Sequence, residues 1–298
     1  MSSNHLLASE LFSVPNLKCV VAGGDTGTGL MIAKALNANG ATVYVAGRCQ
    51  QVLETTAARC GGNSEPIATN LMSTDSINHF AARMAEREPQ GIHLLVNCAG
   101  VAEDQTARPV TDFTNADRIR AHLSRATPES WAETFQTNVT AQYFMSVAFV
   151  PQLAAGTRNT PGYSASIVNI APISGVRAGS SHHFAYEASK AAFMQLSQTL
   201  AAALKGIDVR VNCIAPGDFP SERTAGGSNE NNRSLLQGDG RGEGLSAGHA
   251  GSDEDMAAAV LYLAGKGGQF LYNQVPTSTV AIDRLLMAST IGALSPWW

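Results

Sequence analysis

The sequence predicts an α/β protein: one doubly wound parallel sheet of about seven strands with helices on both faces. Three observations carry this expectation. Short apolar runs alternate with stretches of helical periodicity along the chain, the order produced when each strand is followed by a crossover helix and a parallel neighbour. The first strand passes into its helix through a glycine-rich turn. Finally, 298 residues with 44% hydrophobic content can bury one large core, and no internal repeat divides the chain, so residues 1–298 are read as a single domain.

Strands are expected near residues 18 to 22, 42 to 46, 66 to 69, 92 to 97, 166 to 170, 208 to 214 and 278 to 282. In the first unit, Cys19-Val20-Val21-Ala22 ends in Gly23-Gly24-Asp25-Thr26-Gly27-Thr28-Gly29 and continues as Leu30-Met31-Ile32-Ala33-Lys34-Ala35-Leu36. Glycines serve where a chain turns sharply and where backbone must approach a pyrophosphate at the positive end of a helix. The spacing is G-x-x-x-G-x-G rather than the common dinucleotide fingerprint, so an ordinary strand-to-helix turn stays open beside a phosphate cradle. Leu94-Leu95-Val96-Asn97-Cys98-Ala99-Gly100 is a buried strand with a small-residue turn. Asn138 lies in a helical stretch with Trp131, Phe135 and Val139, and Val211-Asn212-Cys213-Ile214-Ala215-Pro216-Gly217 is a strand closed by a Pro-Gly turn. Phe193, Leu196, Leu200 and Leu204 mark the buried face of one helix, while Ser252 with Asp255 forms a capping box opening another that carries Met256, Val260 and Leu263.

Composition narrows the partners. A net charge of -4 and an isoelectric point near 6.0 leave no basic footprint for nucleic acid. The five cysteines lack C-x-x-C spacing and read as buried free thiols in a reducing compartment. No leader pattern and no run of 18 apolar residues is present, which gives the expectation of a cytoplasmic protein without a membrane span.

Tyr186-Glu187-Ala188-Ser189-Lys190 puts a phenol and an ammonium four residues apart, on one face of a helix. Such a lysine favours the phenolate and makes the tyrosine a proton donor near neutral pH; alone, the same spacing also describes a solvated surface pair.

Taken in order, the glycine turn, Asn97-Cys98-Ala99-Gly100, Asn138, Tyr186/Lys190 and Pro216-Gly217 resemble the short-chain dehydrogenase/reductase family over roughly residues 14 to 284. The details Leu11-Phe12-Ser13-Val14, Val43-Tyr44-Val45-Ala46-Gly47-Arg48, Pro216-Gly217-Asp218-Phe219-Pro220-Ser221 and Asp255-Met256-Ala257 are similar to fungal reductases of the rhamnolipid-type β-ketoacyl reductase kind. The resemblance implies a Rossmann fold, a homodimer or homotetramer, a small-molecule substrate and reduction of a ketone in secondary metabolism. It further implies that Tyr186 donates the proton, Lys190 tunes it and holds the ribose, and Asn138 anchors a relay water. The implied cofactor cradle is Gly23, Asp25, Thr26, Gly27, Thr28 and Gly29, then Arg48, Asn70, Leu71, Asn97, Ala99 and Gly100, and finally Pro216, Gly217, Phe219 and Ser221. No metal is implied. NAD-preferring members carry an acid at the end of the second strand, where this chain has Gly47-Arg48; a guanidinium suits a 2′-phosphate, so NADP(H) is the expected cofactor. Residues 218–251, rich in Gly, Ser, Asn and charge from Ala225 onward, fall where the family has a substrate lid, or form a long surface loop.

The chain departs from the family in several places. Ile167-Val168-Asn169-Ile170-Ala171-Pro172-Ile173-Ser174-Gly175, aligned on its glycine, puts Pro172 at the catalytic serine position. Proline offers no donor. Ser174 is the expected replacement, and Ser180, Ser181, His182 and His183 are further donors upstream of Tyr186. Ala22 stands for the usual threonine, Asn70 for an aspartate, Cys49 for a second arginine, and Ile282-Asp283-Arg284 for Asp-Gly-Gly. Two other readings therefore stay open. One keeps the pocket for a non-redox isomerisation, dehydration or cyclisation. The other is a cofactor-binding regulatory protein, against which the retained Tyr186 and Lys190 argue.

Overall fold

The computed structural model describes residues 3–102, 114–176, 183–220 and 250–274. Among these residues the sheet has six strands in the order β3-β2-β1-β4-β5-β6. They are β1 (Lys18–Ala22), β2 (Thr42–Gly47), β3 (Ser64–Ala68), β4 (Leu94–Asn97), β5 (Ser166–Ile170) and β6 (Arg210–Ile214). Every pairing is parallel. The chain runs from β1 outward to β3, returns to lay β4 beside β1, and continues in the opposite direction to β6. Crossovers after β1 and β4 therefore leave in opposite directions and open a crevice at the strand C-termini, where open α/β sheets bind ligands. The doubly wound α/β fold expected from the sequence is the one observed. The strand expected at 278 to 282 lies outside the described residues.

Helices α1 (Ala8–Leu11), α2 (Gly27–Ala38), α3 (Gln50–Cys60), α4 (Thr74–Arg87), α5 (Ala116–Leu123), α6 (Pro128–Phe135), α7 (Ala141–Asn159), α8 (Phe184–Leu204) and α9 (Asp253–Ala264) accompany the sheet. Because side chains alternate along a strand, the sheet feeds two cores. Cys19, Val21, Val43 and Val45 meet Ile32 and Leu36 of α2, Leu53 of α3, and Met256, Val260 and Leu263 of α9. On the opposite face Val20, Tyr44 and Leu95 meet Ile77 and Phe80 of α4, Met145 and Phe149 of α7, and Leu200 and Leu204 of α8. The capping box read from Ser252 and Asp255 opens α9: the Ser252 hydroxyl accepts from the Asp255 N–H, and the Asp255 carboxylate accepts from the Ser252 N–H at 2.9 Å.

A buried arginine ties β6 to α9 and the turn after it. Arg210, fully buried, donates from Nη1 to the carbonyls of Leu263 and Gly268 at 3.1 and 2.9 Å, and from Nε and Nη2 to that of Ser164. Its guanidinium satisfies carbonyls that water cannot reach, the condition under which a buried polar group is tolerated. The cysteines match the buried-thiol reading in part: all five are free, Cys19 and Cys213 are buried, and Cys49 is exposed. Burial pushes the Cys19 thiol up and that of Cys213 up to about 12, so neither is a thiolate at neutral pH. No helix among the described residues is long and apolar enough to cross a membrane.

Candidate active site

The crevice is built first by glycines that bring backbone against backbone. Gly23 has φ 75°, and a Cβ there would lie 2.6 Å from the backbone of Ala99. A Cβ on Gly29 would lie 2.0 Å from the Gly23 carbonyl oxygen, so the first turn of α2 can close on its own approach only as glycine. Thr26, at the N-cap of α2, makes no side-chain cap bond. The Thr26 hydroxyl thus does not occupy the positive end of α2, a position that suits an anion.

The cleft in front of this turn has a volume of about 440 Å³. Of the residues read from the sequence, Gly23, Asp25, Thr26, Gly27, Thr28, Arg48, Leu71, Ala99, Gly100, Tyr186, Lys190, Pro216, Gly217 and Phe219 line it together. Gly29 sits beneath the turn. Asn70 lies in an adjoining recess with Arg48, its Oδ1 accepting from the Met72 N–H at 3.0 Å. Asn97 is buried in the sheet, donating to Ser146 Oγ and Asn169 Oδ1, both at 2.9 Å. Ser221, most of 218–251 and residues 180 to 182 lie outside the described residues.

Tyr186 and Lys190, one turn apart on α8, are 4% and 2% exposed, so the solvated-surface alternative does not apply. The ammonium stands 5.6 Å from the Tyr186 ring centroid and 5.7 Å from that of Phe193. Gly100 makes room for it: a Cβ there would meet Lys190 Nζ at 2.9 Å and Asn138 Oδ1 at 3.1 Å. Asn138, fully buried, sits in a π-helical turn, Gln136–Thr140, between α6 and α7. Such turns change which side chain points inward without ending the helix. Its Oδ1 accepts from the Val101 N–H at 2.8 Å, and its Nδ2 donates to the Val101 carbonyl and to Ser189 Oγ at 2.9 Å each. Ser189 in turn donates to the Tyr186 carbonyl at 2.7 Å. The loop after β4 and the first turn of α8 are therefore joined through one amide.

After β5, Pro172 lines the cleft. Ser174 lies two residues on, in a 3-10 turn, 6% exposed, with a buried hydroxyl that has no hydrogen-bond partner among the described residues and no place among the lining groups. The turn presses on α8, since a Cβ on Gly175 would lie 2.7 Å from the Lys190 carbonyl carbon.

Gly47, Val52, Met72, Cys98, Val101, Ala102, Thr137 and Ile170 also line the cleft and were not read as site residues. Gly47 and Ile170 end strands, and the rule that ligands sit beyond strand C-termini would have found them. Met72 and Thr137, joined at 3.4 Å, carry no sequence signal. Cys98 Sγ lies 3.3 Å from Thr28 Oγ1; burial pushes this thiol up, so it is no ready nucleophile. Among the described residues no cluster of His, Cys, Asp or Glu could hold a metal.

Comparison with known proteins agrees with this geometry. Residues 18–232 match the family described as short chain dehydrogenase. The chain is 36% identical over 277 residues to the short-chain dehydrogenase/reductase PhomF of Diaporthe leptostromiformis, covering 92% of this chain and 93% of that protein. It is 31% identical over 268 residues to the rhamnolipids biosynthesis 3-oxoacyl-[acyl-carrier-protein] reductase of Pseudomonas aeruginosa, covering 89% and 95%. Among solved structures, the Pseudomonas aeruginosa RhlG/NADP active-site complex superposes with a TM-score of 0.73 at 28% identity, covering 91% of this chain and 99% of that one.

Proposed function

The chain belongs to the short-chain dehydrogenase family and is an oxidoreductase, and from that membership we propose that it reduces a ketone of a small-molecule secondary metabolite using NADPH. The observation that carries this reading is the burial of Tyr186 and Lys190 in one cleft with a glycine cradle whose Cβ positions are closed to any other residue.

The residues present fit a nicotinamide dinucleotide. Gly23, Gly27 and Gly29 bring backbone to its pyrophosphate, with Thr26 and Thr28 around them; Asp25 lies on the ribose side beside Gly47, Asn70 and Leu71 take the adenine side and Arg48 the 2′-phosphate. Ala99, Gly100, Pro216, Gly217, Phe219 and Ser221 are assigned to the nicotinamide half, whereas Asn97, buried away from the cleft, supports them from within the sheet. When bound, the nicotinamide supplies the hydride. Tyr186 gives its hydroxyl proton to the carbonyl oxygen as negative charge develops there, and the Lys190 ammonium offsets the charge left on the phenolate in a site removed from water. Asn138 holds Val101 and Ser189 in register and anchors the water through which Tyr186 is reprotonated. Ser174 is assigned the second bond to the carbonyl that Pro172 cannot make, a role that requires the 3-10 turn to shift its buried hydroxyl into the cleft when substrate binds.

Pro172 in the cleft also favours a second reading, in which the pocket runs an isomerisation, dehydration or cyclisation with the cofactor as an auxiliary group. Exposed Tyr143, Phe144 and Val147 on α7 support assembly as a homodimer or homotetramer, which would cover them. A cytoplasmic location is part of the same proposal.

The cofactor assignment is tested at Arg48, exposed at the rim of the cleft. Arg48→Ala is expected to weaken NADPH binding by about ten- to a hundredfold in a fluorescence titration, the worth of one charge-assisted contact, and to leave NADH nearly unchanged. Equal losses for both would remove the NADP assignment.

A further inference from the structure

Dinucleotide-binding sheets place an acid at the end of the second strand, where it accepts from the ribose 2′-hydroxyl. Here that strand ends in Gly47, which has no side chain, yet the space beside it is filled. An ideal Cβ on Gly47 would lie 3.1 Å from Oδ2 and 3.3 Å from Cγ of Asp25, with Leu53 Cδ2 at 3.3 Å. Asp25 comes from the glycine turn after β1, not from β2. Its backbone is held by α3, where fully buried Thr56 donates from Oγ1 to the Asp25 carbonyl at 2.8 Å. Asp25, Gly47 and Arg48 line one cleft, the carboxylate half-buried and the guanidinium exposed.

We propose that Asp25 is a specificity-determining residue that reads the ribose 2′ position from the glycine turn, in place of an acid on β2, so that the enzyme accepts NADH alongside NADPH. The proposal rests on the reading of the cleft as a dinucleotide site. A carboxylate accepts a hydrogen bond from a 2′-hydroxyl and repels a 2′-phosphate, while Arg48 does the reverse. Repulsion between like charges weakens slowly with distance in a half-buried site, whereas the attraction offered by an exposed arginine is screened by water and salt. The two opposed groups thus leave a narrow preference. Gly47 suits the same arrangement, since a Cβ there would lie 3.1 Å from the carboxylate oxygen and press it by a few tenths of an ångström.

The test is calorimetric titration with 2′,5′-ADP and with 5′-ADP, which report the 2′ position without any substrate or turnover. Asp25→Asn, nearly isosteric, is expected to tighten 2′,5′-ADP by about tenfold and to weaken 5′-ADP a few-fold. Asp25→Ser provides a second variant with the same expected direction. If the native chain binds both ligands and neither variant gains affinity for 2′,5′-ADP, the role given to Asp25 is overturned. If the native chain binds neither ligand, the dinucleotide reading falls and this proposal with it.

Discussion

Replacing Tyr186 with phenylalanine is expected to lower kcat by about 10³-fold, within the range ascribed to a positioned proton donor. The substitution removes one oxygen and keeps the ring. That ring is buried on α8 beside Lys190, and the Tyr186 carbonyl, which the substitution leaves in place, accepts from Ser189 Oγ and so still ties the helix turn to Asn138. Fold and cofactor binding should therefore survive, and the loss should appear in kcat with a cofactor dissociation constant close to that of the native chain. A variant that keeps its rate to within tenfold would show that another group delivers the proton.

The second large effect concerns the position that the family fills with serine. Ser174→Ala is expected to lower kcat by about 10²-fold with little change in cofactor affinity, as for a donor felt mainly in the transition state. Pro172→Ser in that background should restore most of the rate. Position 172 lines the cleft with Tyr186, its backbone lies at φ -48° and ψ 153°, which serine adopts without strain, and its backbone bond to the Gly175 N–H is made by a carbonyl that serine also has. An unchanged rate in Ser174→Ala removes Ser174 from the mechanism. Rescue failing after a real loss would mean that residue 172 is too far from the carbonyl to replace it.

How far the sequence revealed this protein depends on what each feature advertises. Strands β1 and β5 coincide with their expected bounds because apolar runs there are cut sharply by turn residues. β3 begins earlier than expected, at Ser64, because an edge strand can start in polar residues that face water, and hydropathy sees only its inner end. The π-turn at Asn138 left no trace in the pattern, since one wider turn barely shifts a helical repeat, although it is what turns this amide toward Val101 and Ser189. Site residues presented by backbone geometry were readable from glycine spacing. Thr137 and Met72 were not, because Thr137 enters on the π-turn and Met72 on the turn before α4, placements that no local spacing encodes. Asp25 was readable as a member of the turn, but its approach to Gly47 appears only when β1 and β2 lie side by side.

Redox chemistry at Tyr186 is the central claim, and it is tested most directly by following a deuterium label from stereospecifically labelled NADPH. The account predicts that the label appears on the carbinol carbon of the product and that oxidised cofactor accumulates in step with turnover. Product forming without label and without cofactor consumption would contradict it, and would assign the same cleft to an isomerase, dehydratase or cyclase.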